Sequence, residues 1–470
     1  MSEETLKLSE PPKTWASRLI FAILCAAVVL TTLGYGTVHP VLIGLFWLSA
    51  ALVAGLWTTD SLASGALRFS QNWLQIPLVA AILFGVVQII PFGSNEAAGV
   101  AGVSQTISLD PYQTQLAVWH FAALLIFFAA ALAFVDSPRR LRFLALFITV
   151  FGFLFSFYAI IQNLLDPGRI YGIYALVGVQ PFGSFVNKHN FAAYIEMCIA
   201  LPLGLLFVGA VGREKRLLYL TAIALMGVAL VMSGSRGGLV ALVAEFIFLI
   251  VIASKNRTSG ALLLKIGLAA ALVAGILVGT ILIGGDSTLT RIAETVGSKD
   301  PTSSRLQIWT TTLEVIKQNP VLGAGWGAFG VAYTQFDPLN GRERVEQAHN
   351  DYLQILADAG IVGAALGAFF VFVLFRDGWR RARSSDQFRR GVATGALAGC
   401  FAILVHSLFD FVLHTTAISL LFLVLAALAT LDGRVETAEN TRPKRRRASV
   451  TSIDSKRKNR ELSEPTEEII

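Results

Sequence analysis

Apolar residues in this chain come in long, nearly unbroken runs rather than in the narrow stripes of soluble helices. A helix needs roughly 20 apolar residues to cross a ~30 Å hydrocarbon core. Runs that meet this fall at about 17–34, 39–57, 73–91, 115–134, 143–162, 190–210, 217–233, 238–254, 261–284, 358–375, 391–409 and 415–431. The pattern predicts an all-α, polytopic integral membrane protein of about 12 transmembrane helices. It divides into a cytoplasmic N-terminus at 1–16, spans one to nine within 17–284, a large loop at 285–357, spans ten to twelve within 358–431, and a tail at 432–470. The first run is too long for a signal-peptide core and lacks a small-x-small cleavage site, so it is expected to be retained as a span.

Composition agrees with the pattern. The chain is 54% hydrophobic and 15% charged, against roughly 45–50% and 25% for soluble domains. Cys25, Cys198 and Cys400 lie inside apolar runs and read as small buried hydrophobes rather than a disulfide framework or metal site. The formal charge of +7 does not call for nucleic acid. Read alternately, the loops put most of the 38 Lys+Arg with the termini: Arg139, Arg140 and Arg142; Arg213, Lys215 and Arg216; the cluster from Arg376 to Arg390; and the tail. The positive-inside rule then makes both termini cytoplasmic. The tail is polar, mixed in charge and without apolar periodicity, as expected of a disordered extension whose Lys444–Arg447 run touches anionic lipid.

Two segments on the opposite face exceed simple connections. The first, about 163–189, holds Arg169, aromatics and FGSFVNKHNF; the second, 285–357, is rich in Trp and Phe and reads as functional rather than disordered. Within it, SSRLQIWTTTLEVIKQNP predicts a helix opened by a Ser304/Gln307 capping box and ended by Pro320. Its apolar stripe would be Leu306, Trp309, Leu313 and Ile316, lying along the membrane or on the bundle. A second helix is expected from near Val345 into the tenth span. Gly325, Gly327 and Gly330 fit GxGxxG, but no strand precedes them, so they read as a turn.

Candidate chemistry gathers on that face. His349 stands just before a span, where an imidazole suits proton transfer near neutral pH, with Glu346 one turn earlier to orient it. The alternative is a surface histidine bonding locally. Arg236, in SGSRGG, is either a phosphate-binding fork approached through flanking glycines or a residue snorkelling to headgroups. Arg305 opens the loop helix, where a cation sits against the helix dipole and hints at an anionic partner; otherwise it is merely solvated. Lys188 and His189 add positive potential beside the sixth span. Glu196, Glu245 and Lys265 lie in or near spans, as either an ion relay or structural pairs, and for His120, His406, Asp410 and His414 packing and function stay unseparated. No HExxH motif, DxD pair or Cys/His cluster marks the outer loops, so neither a metal nor another cofactor is expected.

Taken in order, these segments resemble the O-antigen ligase and polymerase family of bacterial inner-membrane glycosyltransferases. His349-Asn350, nine residues, Gly360, two residues and Gly363 match the ligases' histidine motif; SGSRGG, SRLQIW, NPVLGAGWGAF, FVNKHNFAAY and ISLDPYQT follow the family's pattern. The resemblance spans roughly residues 20–430. It implies a GT-C-like fold and a metal-independent transfer of a glycan from undecaprenyl diphosphate, on the periplasmic face, to an acceptor hydroxyl. The acceptor is lipid A–core glycolipid for a ligase and another lipid-linked glycan for a polymerase. His349 would be the general base and Arg236 and Arg305 would hold the diphosphate, with Lys188, His189, Asn350 and Trp326 as substrate-binding residues. A protein oligosaccharyltransferase and a lipid-linked sugar transporter are the remaining alternatives; the latter would carry its charges near the midplane on repeated halves, and no repeat is visible.

Overall fold

The computed structural model describes residues 14–94, 104–176, 179–254, 305–342 and 344–436, with the single positions 267, 270, 274 and 278 besides. Apart from those four positions the ninth expected span, with Ser304, Lys265 and the tail beyond 436, lies outside the described residues.

The described chain is almost entirely helical: α1 (Trp15–Leu33), α2 (Pro40–Ser64), α3 (Gln75–Ile89), α4 (Pro111–Phe134), α5 (Pro138–Leu165), α6 (Lys188–Val208), α7 (Arg216–Met232), α8 (Arg236–Ser254), α9 (Arg305–Gln318), α10 (Phe329–Thr334), α11 (Asp351–Arg381), α12 (Gln387–His406) and α13 (Thr416–Thr430). Among the described residues, eight helices are long and apolar enough to cross a membrane, and α3 and α13 are shorter apolar helices. Local chemistry sets several starts. Asp110, Ser137 and Asn187 cap α4, α5 and α6 with side-chain oxygens, and α2, α4 and α5 carry proline in the first turn, where its missing N–H costs nothing. These caps start α4 and α5 some four residues before their apolar runs do. Two small antiparallel hairpins, β1 (Gly93–Ser94) with β2 (Ser104–Gln105) and β3 (Arg169–Ile170) with β4 (Tyr174–Ala175), interrupt the helical order in connections.

Helix α6 runs through the middle, packed against α5, α7, α8, α12 and α13. It is buried on nearly every face, as is α13. At 15 residues α13 is only about 22 Å long, which suffices because protein rather than lipid surrounds it. Outer helices show apolar rows to their surroundings instead, such as Leu45, Leu48 and Leu52 on α2 and Val243, Ile247 and Val251 on α8. In lipid such faces carry no hydration cost.

The loop region departs from its sequence pattern in three ways. The buried residues of α9 are Thr311, Thr312 and Val315, with Ile308 and Ile316 partly covered, while Leu306 and Leu313 are exposed; its buried face is thus rotated from the expected stripe. Residues 345–350 are not helical: Asn350 caps α11 by accepting from the N–H groups of Tyr352 and Leu353. Finally, α11 breaks at Gly360 (φ 57°, ψ −153°), a backbone region open essentially only to glycine. A Cβ there would sit 2.4 Å from the Val321 carbonyl. The break admits the 320–325 turn, whose carbonyls at Pro320 and Val321 accept from the N–H groups of Ile361 and Val362.

That turn is clamped from a distant part of the chain. Gln88 of α3 donates to the Leu322 and Asp358 carbonyls and accepts from the Trp326 N–H. Leu109 N–H donates to the Ala324 carbonyl, and Thr114 Oγ1 to that of Trp326. The expected turn at Gly325 and Gly327 is present, with φ of 112° and 77°.

Candidate functional site

The segment between α12 and α13 carries Asp410, and three other segments meet on its carboxylate. His349 Nδ1 lies 3.0 Å from Oδ1, and Arg305 Nη2 donates to Oδ2 at 3.2 Å. His189 Nδ1 stands 4.0 Å from Oδ2 and 2.9 Å from Ser235 Oγ. Arg305 also donates through Nη1 to the Phe409 carbonyl. Asp410 is 2% exposed in its side chain while His349 is 32% exposed, so the carboxylate is sealed beneath groups that reach the surface. Burial works against its charged form, but the His349 hydrogen bond and the charges of His189 and Arg305 outweigh that. They hold Asp410 well below the usual carboxylate range.

The four contributing residues open four helices or sit beside their first turns. His189 is in the first turn of α6, Ser235 precedes α8, Arg305 begins α9 and His349 precedes the cap of α11. Helix N-termini carry partial positive charge and unsatisfied N–H groups, so this end of the bundle favours an anion even before its cations are considered. His349 adopts φ 50°, in the left-handed region that costs a non-glycine residue about 1–2 kcal/mol. Such strain persists only where surrounding contacts fix it; here these are the Asp410 bond, the edge of Phe411 at 4.8 Å between centroids, and the capped helix that follows. With Nδ1 engaged, Nε2 is the nitrogen left to take or give a proton.

Of the residues singled out in the sequence, His349, Arg305 and His189 meet at Asp410. Arg236 is the first residue of α8, between Ser235, which touches His189, and Gly237, where a Cβ would fall 2.9 Å from the His406 ring. The glycine therefore allows α8 to close on α12. Lys188 donates to Gln180 Oε1 at 2.6 Å, at the edge of the cluster. Asn350 is taken up by capping and by donating to the Leu408 carbonyl. Trp326 is buried at 8% exposure, its ring edge-on to Phe121; it lies inside the clamped turn rather than at the surface. Glu346, expected to orient His349, instead pairs with Arg344 at 2.8 Å and is 61% exposed. The orienting carboxylate comes from 61 residues further on, a pairing that no local spacing announces.

Two other groupings lie close by. Asp351 accepts from His414 Nδ1 at 3.0 Å, Ser407 Oγ at 2.7 Å and the Leu413 N–H at 3.2 Å. Deeper, Glu196 holds His406 Nδ1 at 3.1 Å, both fully buried, and the Glu245 carboxylate has no hydrogen-bond partner among the described residues. Among the described residues no group of three or more His, Cys, Asp and Glu side chains is placed to hold a metal.

Comparison with known proteins bears on this arrangement. Residues 221–368 match a family model described as O-Antigen ligase. Over 266 residues the chain is 25% identical to a protein of Pseudomonas aeruginosa named O-antigen ligase, covering 55% of this chain and 57% of that one. The chain thus spans little more than half the length of the curated relative it matches. Together these findings support the O-antigen ligase family. The matched segment holds Arg236, Arg305 and His349, whereas His189 and Asp410 fall on either side of it.

Proposed function

We propose that this chain, with the O-antigen ligase family as premise, transfers a glycan from undecaprenyl diphosphate to an acceptor hydroxyl of lipid A–core at the periplasmic face of a bacterial inner membrane. The observation that carries the reading is the convergence of His349, Arg305 and His189 on one buried carboxylate where helix N-termini meet. Diphosphate is a good leaving group once its growing charge is met. Arg305 and Arg236, with the helix N-termini, supply that charge without solvent reorganisation. His349 Nε2 removes the acceptor's proton as its oxygen attacks, and Asp410 fixes the ring and stabilises the imidazolium formed. A single displacement inverts the anomeric carbon. The apolar outer helices offer the polyprenyl chain a surface continuous with lipid, and no cofactor takes part.

The decisive experiment is deletion of the gene in the native bacterium, followed by analysis of lipopolysaccharide and of the lipid-linked glycan pool. Full-length glycan stranded on undecaprenyl diphosphate, with bare lipid A–core, is the expected result. Accumulation of single repeat units, with no long chains anywhere, would make the protein a polymerase instead.

A further inference from the structure

The two segments that build the site exchange residues crosswise. The start of α11 contributes His349 and Asp351; the turn after α12 contributes Asp410 and His414. Each histidine takes the other segment's aspartate, His349 with Asp410 and His414 with Asp351, both through Nδ1 at 3.0 Å. Both imidazoles pack against the same ring, Phe411 lying edge-on to His349 at 4.8 Å and to His414 at 6.5 Å. In both, Nδ1 is engaged and no described group bonds Nε2. The first pair serves the proposed reaction; the second has no part in it so far.

The pairs differ in what else their carboxylates see. Asp410 is shared with the Arg305 guanidinium, so much of its charge is already met. Among the described residues Asp351 otherwise receives only neutral donors, Ser407 Oγ and the Leu413 N–H, and so offers its full charge to His414. The other titratable groups around His414 are Asp358 of α11 and His120 of α4. Partial burial, with a third of the side chain still exposed, would favour neutral His414, but the Asp351 hydrogen bond and the charges of Asp351 and Asp358 outweigh it and raise its pKa above the ordinary imidazole value. A histidine whose surroundings favour its protonated form suits the acid half of an acid–base reaction.

Resting on the function proposed above, we propose that His414, held by Asp351, is the acid of the site and protonates the departing diphosphate. The step balances. The acceptor O–H proton passes to His349 Nε2 as the acceptor oxygen bonds the anomeric carbon. The bond from that carbon to the phosphate oxygen breaks, its electron pair stays on the oxygen, and the His414 Nε2 proton joins it. His349 then returns its proton to water and His414 regains one from water.

The test is the pH dependence of kcat for the purified full-length protein in lipid nanodiscs, with undecaprenyl-diphosphate-linked glycan and lipid A–core from the native bacterium. Wild type should show a bell, its alkaline limb marking loss of the His414 proton as pH rises. His414→Gln keeps a donor to Asp351 but carries no mobile proton. It should lower kcat about 100-fold, within the range for general acid catalysis, abolish the alkaline limb and leave KM nearly unchanged. Asp351→Asn keeps a hydrogen-bonding group but removes the charge, so the alkaline limb should move to lower pH; it also serves if the His414 variant does not fold. An alkaline limb unchanged in the variant that folds overturns the acid role. Full activity of His349→Ala would instead overturn the underlying reading, so the two failures are distinguishable.

Discussion

Two ion clusters occupy opposite ends of the bundle. At the end away from the loop, Arg68 bonds Asp60 at 2.9 Å and Asp136 at 3.2 Å, and Arg140 reaches Asp136 at 3.4 Å. Two carboxylates meet two guanidinium groups, with side chains no more than 12% exposed. Arg140 spends further donors on Ser17 and the Phe134 carbonyl, tying α1 to the α4–α5 connection. At the loop end, one buried carboxylate lies beneath an arginine and two histidines whose outer faces stay accessible. The first cluster is closed and balanced, as expected of charges that hold helices together. The second leaves polar groups that reach the surface above its buried carboxylate, as expected of a site that awaits a ligand. Residue types alone do not separate structural from reactive charge; the balance of partners does.

The sharpest way to break this comparison is His349→Ala. Glycan transfer should fall by about 10²–10⁴-fold, the usual share of a general base, while the protein inserts and melts like wild type. Transfer assayed on well-expressed protein would sink the role if it stayed normal. Arg68→Ala should do the reverse, destabilising the fold by about 3–5 kcal/mol, because Asp60 would be left buried without a cation and Asp136 with Arg140 alone; thermal unfolding in detergent measures this. Arg305→Lys keeps charge but not the fork that spans Asp410 and the Phe409 carbonyl. Losing one charged hydrogen bond should slow transfer by about 10–100-fold, and unchanged steady-state rates would mean charge alone suffices. The smallest effect is expected of Glu346→Gln, whose exposed pair with Arg344 contributes less than about 1 kcal/mol. Its transfer rate should stay within about twofold of wild type, and a larger loss would restore Glu346 as a partner of the site.

Legibility in the sequence followed the range of the interaction. Among the described residues each expected apolar run coincides with a helix, since lipid and protein interior both demand helices there, though ends such as those of α2 and α11 differ by up to seven residues. The position of His349 before a span, and the cations of 236 and 305, could also be read from place and residue type. Asp410 could not be, because an acid between two apolar segments looks the same whether it caps a turn or anchors a site. Nor could the face of α9: its buried positions include two threonines, which hide their hydroxyls by bonding locally, as Thr312 does to the Ile308 carbonyl. Trp326 misled in the opposite direction, a large aromatic in a glycine-rich loop that packs inward because Gln88 and Thr114 hold its backbone.

The break in α11 has a consequence for transplanting this region between relatives. The 320–325 turn fits only where Gly360 opens the helix, yet its clamps, Gln88 and Thr114, lie more than 200 residues earlier. Exchanging 221–368 as a block would keep the turn with its helix but separate both from α3 and the start of α4. Chimeras cut at those limits should therefore assemble only when the residues equivalent to Gln88 and Thr114 travel with them.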